Sequence, residues 1–229
     1  MYYFIAEPIY SNNGQLFAVE ILTRFTNLLS SKDRESFFAN MSATDKLSIF
    51  IEQIDAINKK ENFFSANNVL CTLNIDYESL KKLCRYQDLA KTIFSIPHLR
   101  IELNETTNPF QINYLNNILR PLRINHLREF VWLDDFCRER FSPEMYLIWG
   151  NAISFIKIDR SLLLNKNYKE LEKQIELVKS RNCKVVVEGV ETKECANIAF
   201  SSGADYIQGY LFPKHELQYI NGIIPKYIF

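Results

Sequence analysis

The chain has 229 residues, 47% of them hydrophobic and 24% charged, so it can bury a large core and is not a disordered segment. Lys and Arg together number 27, as do Asp and Glu, and this balance gives no bulk attraction to DNA, RNA or an anionic membrane. An anionic ligand must therefore be held by a local site.

The cysteines at 71, 84, 137, 183 and 195 form no CxxC or CxxxC pair. That argues against a zinc ribbon and suits reduced thiols in a cytoplasm. The opening MYYFIAEPIY has no basic stretch and carries Glu7, unlike a signal peptide. No apolar run approaches the roughly 18 residues needed to span a bilayer. The expectation is a cytoplasmic protein with no membrane, DNA or RNA partner.

In chain order, Tyr2 to Tyr10 and Gln15 to Thr23 are β-rich runs joined by Ser11-Asn12-Asn13-Gly14, which predicts a hairpin. The polar stretch from Asn27 to Ser36 reads as a loop. Ser42 to Lys60 carries Leu47, Phe50, Ile51, Ile54 and Ile57 at helical spacing, with Ser42 or Thr44 available as a cap. Strand and helix patterns then alternate. Strands are predicted at Val69–Ile75, Leu99–Leu103, Phe130–Leu133, Ser154–Ile158, Lys184–Val187 and Tyr206–Ile207. Helices are predicted at Tyr77–Ser95 with a break, Pro109–Leu119, beyond Pro143, Tyr168–Lys179, Lys193–Ser201 and near Leu217. Parallel strands need long crossovers, so this alternation predicts an α/β fold. Its form is a modified (β/α)8 TIM-like barrel that begins with a β-hairpin, and residues 1–229 read as a single domain.

Polar residues gather where the predicted strands end. Glu20, Asn74, Glu102, Asp134, Asp135, Lys157, Asp159, Glu188 and Gln208 all fall there. In barrels that end carries the active site. One such residue is more readily a helix cap or a salt-bridge partner, but the ordered set is not. Converging carboxylates repel unless protonated or neutralised by cations. Oxygen donors with an amide favour Mg²⁺ or Mn²⁺ over zinc. The adjacent Asp134-Asp135 suits two metal ions, a geometry that serves phosphodiester cleavage.

These residues resemble the EAL family of cyclic di-GMP phosphodiesterases over nearly the whole chain. Glu20-Ile21-Leu22-Thr23-Arg24 is similar to ExLxR, and Glu7-Pro8-Ile9 to QPI with Glu in place of Gln. Leu73-Asn74-Ile75, Glu102-Leu103-Asn104-Glu105, Asp134-Asp135-Phe136 and Lys157-Ile158-Asp159 resemble further motifs, as do Glu188-Gly189-Val190-Glu191-Thr192 and Asp205-Tyr206-Ile207-Gln208-Gly209-Tyr210. The resemblance implies that Glu20, Asn74, Glu102 and Asp134 bind one ion, and that Asp134, Asp135 and Glu188 surround a second. It implies catalytic roles for Lys157 and Glu188, with Lys157 orienting or activating water. Arg24 and Gln208 would face the substrate, and Glu105 would anchor the loop after the DDF motif. That loop departs from the family, since Cys137-Arg138-Glu139-Arg140-Phe141-Ser142 replaces a glycine-bearing stretch. His215 makes a poor candidate base.

The implied activity is metal-dependent hydrolysis of cyclic di-GMP to linear pGpG with Mg²⁺ or Mn²⁺, and two ions are expected. The altered loop leaves a second reading open, a catalytically weak module that binds cyclic di-GMP or a regulated protein partner. A third is an unrelated barrel metalloenzyme. A homodimer is also open.

Overall fold

The computed structural model describes residues 1–27, 30–104, 119, 127–137 and 153–229. Strands β1 (Tyr2–Ser11) and β2 (Leu16–Phe25) form the expected antiparallel hairpin. Gly14 sits at φ +75 in its turn, where an added Cβ would lie 1.9 Å from the Tyr227 carbonyl oxygen. From β2 the sheet continues in parallel through β3 (Leu70–Asn74), β4 (Leu99–Asn104), β5 (Val131–Phe136), β6 (Phe155–Ile158), β7 (Lys184–Val187) and β8 (Tyr206–Gln208). β8 pairs back onto β1, so β1 to β8 close into a barrel in which β1 runs against both neighbours. A short β9 (His215–Glu216) adds to the outer part of β1.

Two helices follow β2: α1 (Ser31–Asn40) and α2 (Ala43–Asn58). Ser42 caps α2 by accepting from the Asp45 amide, and the helix buries Leu47, Phe50, Ile54 and Ile57. Between β3 and β4 lie α4 (Tyr77–Leu83) and α5 (Gln87–Phe94), the expected helix divided by its break, while α3 (Glu61–Asn67) precedes β3. The short α6 (Leu127–Phe130) leads into β5, and α7 (Ser161–Leu164) and α8 (Tyr168–Lys179) join β6 to β7. α9 (Lys193–Ser201) joins β7 to β8, with Thr192 as its cap.

The stretch from Asn27 to Ser36 is a correction: α1 begins at Ser31. Ser30 accepts from the Asp33 amide and starts the helix, yet the segment lacks the apolar periodicity that marks α2. The turn near Leu217 is a 3-10 helix, Leu217–Gly222. The helix expected at Pro109–Leu119, apart from Leu119, and the one beyond Pro143 fall outside the described residues.

Two apolar layers result. One lies between strands and helices, where Ile21, Phe50, Phe64, Leu73, Leu80, Ile101, Leu133, Ile158 and Val187 are buried. The other fills one end of the barrel's inside. Ile9, Ala18, Trp132 and Val186 are buried there, with Phe17, Leu70, Phe155 and Tyr206 packed against them. Phe17 reaches this floor through a bulge. The β1–β2 register steps from Ile9↔Ala18 to Tyr10↔Leu16 and skips Phe17, whose ring stacks 3.9 Å from that of Tyr206.

Candidate metal and phosphodiester site

Residues i and i+2 of a strand share a face, so the inside of the barrel can be followed upward from its floor. Two residues beyond Ala18, Trp132, Phe155, Val186 and Tyr206 stand Glu20, Asp134, Lys157, Glu188 and Gln208. A polar layer thus rests directly on an aromatic one. Near the barrel ends, two glycines let the chain turn away. Gly189 has φ +73, and a Cβ on Gly209 would lie 2.3 Å from the backbone N and O of Val190.

Lys157 is the centre of the polar layer and is fully buried. Its Nζ lies 3.0 Å from Glu20 Oε2, Glu102 Oε2 and Asp134 Oδ1, and 2.8 Å from Glu188 Oε1. Asn74 Nδ2 donates to Glu20 Oε1 at 2.6 Å, and Gln208 Nε2 donates to Glu20 Oε2 at 2.8 Å. Glu20 therefore has hydrogen-bond donors on both oxygens. Glu102 does not: its Oε1 is buried without a hydrogen-bond partner.

The electrostatics follow from one cation among several anions. Burial disfavours charge on Glu20, but Lys157 and the bonds from Gln208 and Asn74 outweigh it and hold this carboxyl below its ordinary value. Burial pushes Glu188 up to about 8 and Asp134 up to about 6, against the pull of Lys157. Burial and the Glu20 charge push Glu102 well above the usual range. Burial works against the Lys157 charge, yet Asp134, Glu102, Glu188 and Glu20 raise its pKa well above normal. One ammonium does not neutralise this set, and further positive charge is favoured there.

Asp134 and Asp135 are adjacent, and in a regular strand they would point to opposite faces. The β5–β6 register moves from Leu133↔Ile156 to Phe136↔Ile158, which inserts one extra residue in β5. Asp135 takes φ +57 at this bulge, and Cys137 takes φ +74 just after it. Ligand atoms of Glu20, Glu102 and Asp134 lie within 4.8 Å of one another, as do those of Asp134, Asp135 and Glu188. All-oxygen donor sets of this kind, with an orphaned oxygen on Glu102, fit hard divalent cations. Asp134 belongs to both groups.

The barrel thus brings Glu20, Asn74, Glu102, Asp134, Asp135, Lys157, Glu188 and Gln208 together. Asp159 turns elsewhere and accepts from the Ser161 amide at 2.8 Å. His215 lies on β9, opposite Ala6. Glu105 and residues 138–142 of the altered loop lie outside the described residues. Arg24 is further up β2, and its Nη2 folds back to Glu7 Oε1 at 2.9 Å. Lys214 Nζ reaches the same oxygen at 2.7 Å. Sequence reading noted Glu7 as a charge in the opening segment and as a departure from QPI, gave it no place in the site, and missed Lys214. The hairpin register, Glu7↔Glu20, is the signal that places Glu7 in the site.

The EAL domain family model matches residues 2–215. The chain belongs to the EAL domain family. Among relatives of this EAL domain is the cyclic di-GMP phosphodiesterase PdeH of Escherichia coli K12, 29% identical over 220 residues, covering 91% of this chain and 81% of PdeH. Solved structures with the same fold include the EAL-like domain protein YdiV, with a TM-score of 0.75, 19% identity and 96% of each chain covered. The PaMucR phosphodiesterase in complex with c-di-GMP also has a TM-score of 0.75, at 18% identity, over 96% of this EAL domain and 99% of that chain. Among the described residues no helix is long and apolar enough to cross a membrane.

Proposed function

We propose that this protein is a metal-dependent phosphodiesterase that hydrolyses cyclic di-GMP to linear pGpG, and that residues 1–229 act as one EAL-type domain. The observation that carries the reading is the pair of overlapping acidic groups, Glu20–Glu102–Asp134 and Asp134–Asp135–Glu188, built around the buried Lys157. The name of PdeH supports the choice of substrate. A binding-only module is less well supported, because each acidic position of the site is filled.

Glu20, Asn74, Glu102 and Asp134 would hold one Mg²⁺ or Mn²⁺, and Asp134, Asp135 and Glu188 a second. Such ions polarise a phosphoryl oxygen and make water a better nucleophile. Lys157 stays protonated among its carboxylates, so it is not a base; it fixes their positions and offers positive charge to the reacting phosphate. Glu188 is the most exposed of the carboxylates bound to Lys157, at 19% against 13% for Asp134, which supports a role in taking the proton of the attacking water. The water oxygen bonds to phosphorus, the bond from phosphorus to the 3′ oxygen breaks, and that oxygen takes a proton from solvent to become the 3′ hydroxyl of a linear dinucleotide with a 5′-phosphate. Arg24 is the phosphate clamp, and Gln208 orients Glu20 from within the layer.

The test is product formation by the purified protein, resolved by chromatography. Linear pGpG is expected with Mg²⁺ or Mn²⁺. Ca²⁺ is expected to support binding with little turnover, because it favours longer and looser coordination. Failure to form pGpG with either Mg²⁺ or Mn²⁺ would overturn the reading.

A further inference from the structure

Glu7 does not belong to either acidic group, yet it lies beside them. It is directly opposite Glu20 across the β1–β2 ladder, where paired side chains share a face. Two like charges there repel, and the chain offsets each one separately. Glu20 is held by Lys157, Asn74 and Gln208. Glu7 is held by Arg24 at 2.9 Å and Lys214 at 2.7 Å, both on Oε1. Glu7 is 13% exposed, Arg24 21% and Lys214 31%, so this triad borders solvent and a ligand can reach it. The Lys214 ammonium also lies 4.3 Å from the centre of the exposed Tyr210 ring.

Arg24 is four residues beyond Glu20 on β2, roughly 13 Å along an extended strand. Its guanidinium nonetheless meets the carboxylate of Glu7, the residue paired with Glu20. A carboxylate and a phosphate offer a guanidinium the same kind of acceptor, an anionic oxygen.

We propose that Glu7 is a built-in anion mimic: it occupies Arg24 and Lys214, so these cations accept a phosphate-bearing ligand only by exchanging it for the carboxylate. The ligand class is a nucleotide phosphodiester, which rests on the functional reading above. The QPI motif that this segment resembles carries a neutral amide at this position, so the competition is built by the Glu7 charge itself. Exchange of one ion pair for another makes ligand binding weaker and less sensitive to salt than capture by free cations.

The test compares wild type with Glu7→Gln, which keeps shape and removes charge. Titration calorimetry is run with cyclic di-GMP in Ca²⁺, and separately with pyrophosphate, which carries charge without a base. Thermal melts confirm that the variant is folded. Both probes should bind Glu7→Gln about tenfold more tightly, with a steeper loss of affinity between low and high salt. In turnover assays KM should fall by more than kcat changes. Lys214→Ala should weaken pyrophosphate binding more in the Glu7→Gln background than in wild type, because only there is the cation unoccupied. If wild type binds cyclic di-GMP and Glu7→Gln binds it equally or less well, the anion-mimic proposal fails and the functional reading stands. If cyclic di-GMP binds neither protein while pyrophosphate binds the variant more tightly, the functional reading fails and the role of Glu7 stands. If neither probe binds either protein, both fail.

Discussion

At the scale of single residues, Lys157 sets the character of the site, because one side chain meets Glu20, Glu102, Asp134 and Glu188. Removing one partner from a buried ionic group costs roughly 3–5 kcal/mol. Lys157→Met is therefore expected to lower the melting temperature of metal-free protein, to regain much of that loss in Mn²⁺, and to lose at least about 100-fold in turnover. Equal melting of variant and wild type in chelator would show that the lysine does not hold the layer together. The raised carboxyls give a pH prediction with a definite sign. Asp134 at about 6 and Glu188 at about 8 hold protons in the metal-free fold above the pH at which the unfolded chain releases them. Their contribution to stability is thus complete below the ordinary carboxylate range and is lost as pH rises through about 6 and then about 8. Cations bind the deprotonated forms, so Mn²⁺ affinity should increase from pH 6 to pH 8 with proton release. Calorimetry in buffers of different ionisation enthalpy measures both, and a flat affinity over that range would contradict the assignment.

Among the elements, β5 departs most usefully from regularity. Its bulge puts Asp135 at φ +57, a conformation that costs a side-chain-bearing residue about 1–2 kcal/mol and that Asn and Asp tolerate best. Asp135→Asn is expected to melt like wild type and to lose activity. Asp135→Val is expected to lose activity and a further 1–2 kcal/mol or so of stability, read by urea unfolding. Equal stability of the two would mean the bulge is not strained. The same element shows how far sequence reading goes. Motif order and apolar runs located β3 to β8 and the residues at their ends, because buried parallel strands are short, hydrophobic and followed by site residues. They put Asp134 and Asp135 together at one strand end but did not show the bulge that lets both face one way, since a bulge leaves no mark in composition. The floor-to-site spacing, in pairs such as Trp132 with Asp134 and Phe155 with Lys157, was not read from the sequence, because only the closed barrel identifies the floor. Helix α1 was missed because Phe37 and Phe38 are adjacent and give no helical period. The Glu7–Arg24–Lys214 triad was missed because Lys214 is far from the hairpin in sequence and meets it only in the closed barrel.

For the whole molecule, β1 is the closing piece, hydrogen-bonded to β2, β8 and β9. Deleting residues 1–11 would leave β2 and β8 with open edges, and such edges recruit other chains. The expected result is soluble aggregate by size-exclusion chromatography, while a monodisperse, folded product would show that the remaining strands can close without it. The reversed direction of β1 has another effect. Tyr2 pairs with Phe25, past the polar layer, whereas Gly14 and Tyr227 meet beside the opposite, aromatic end. Met1 therefore lies at the pole of the polar layer and Tyr227 at the other, from which the last residues turn back along α9, where Lys193 Nζ donates to the Ile228 carbonyl at 3.4 Å. A group attached ahead of Met1 is thus a neighbour of the site, and one attached in the hairpin turn at Asn13 is separated from it by the aromatic floor. A fluorophore coupled ahead of Met1 should report cyclic di-GMP arrival in Ca²⁺, and the same dye at Asn13 should stay silent.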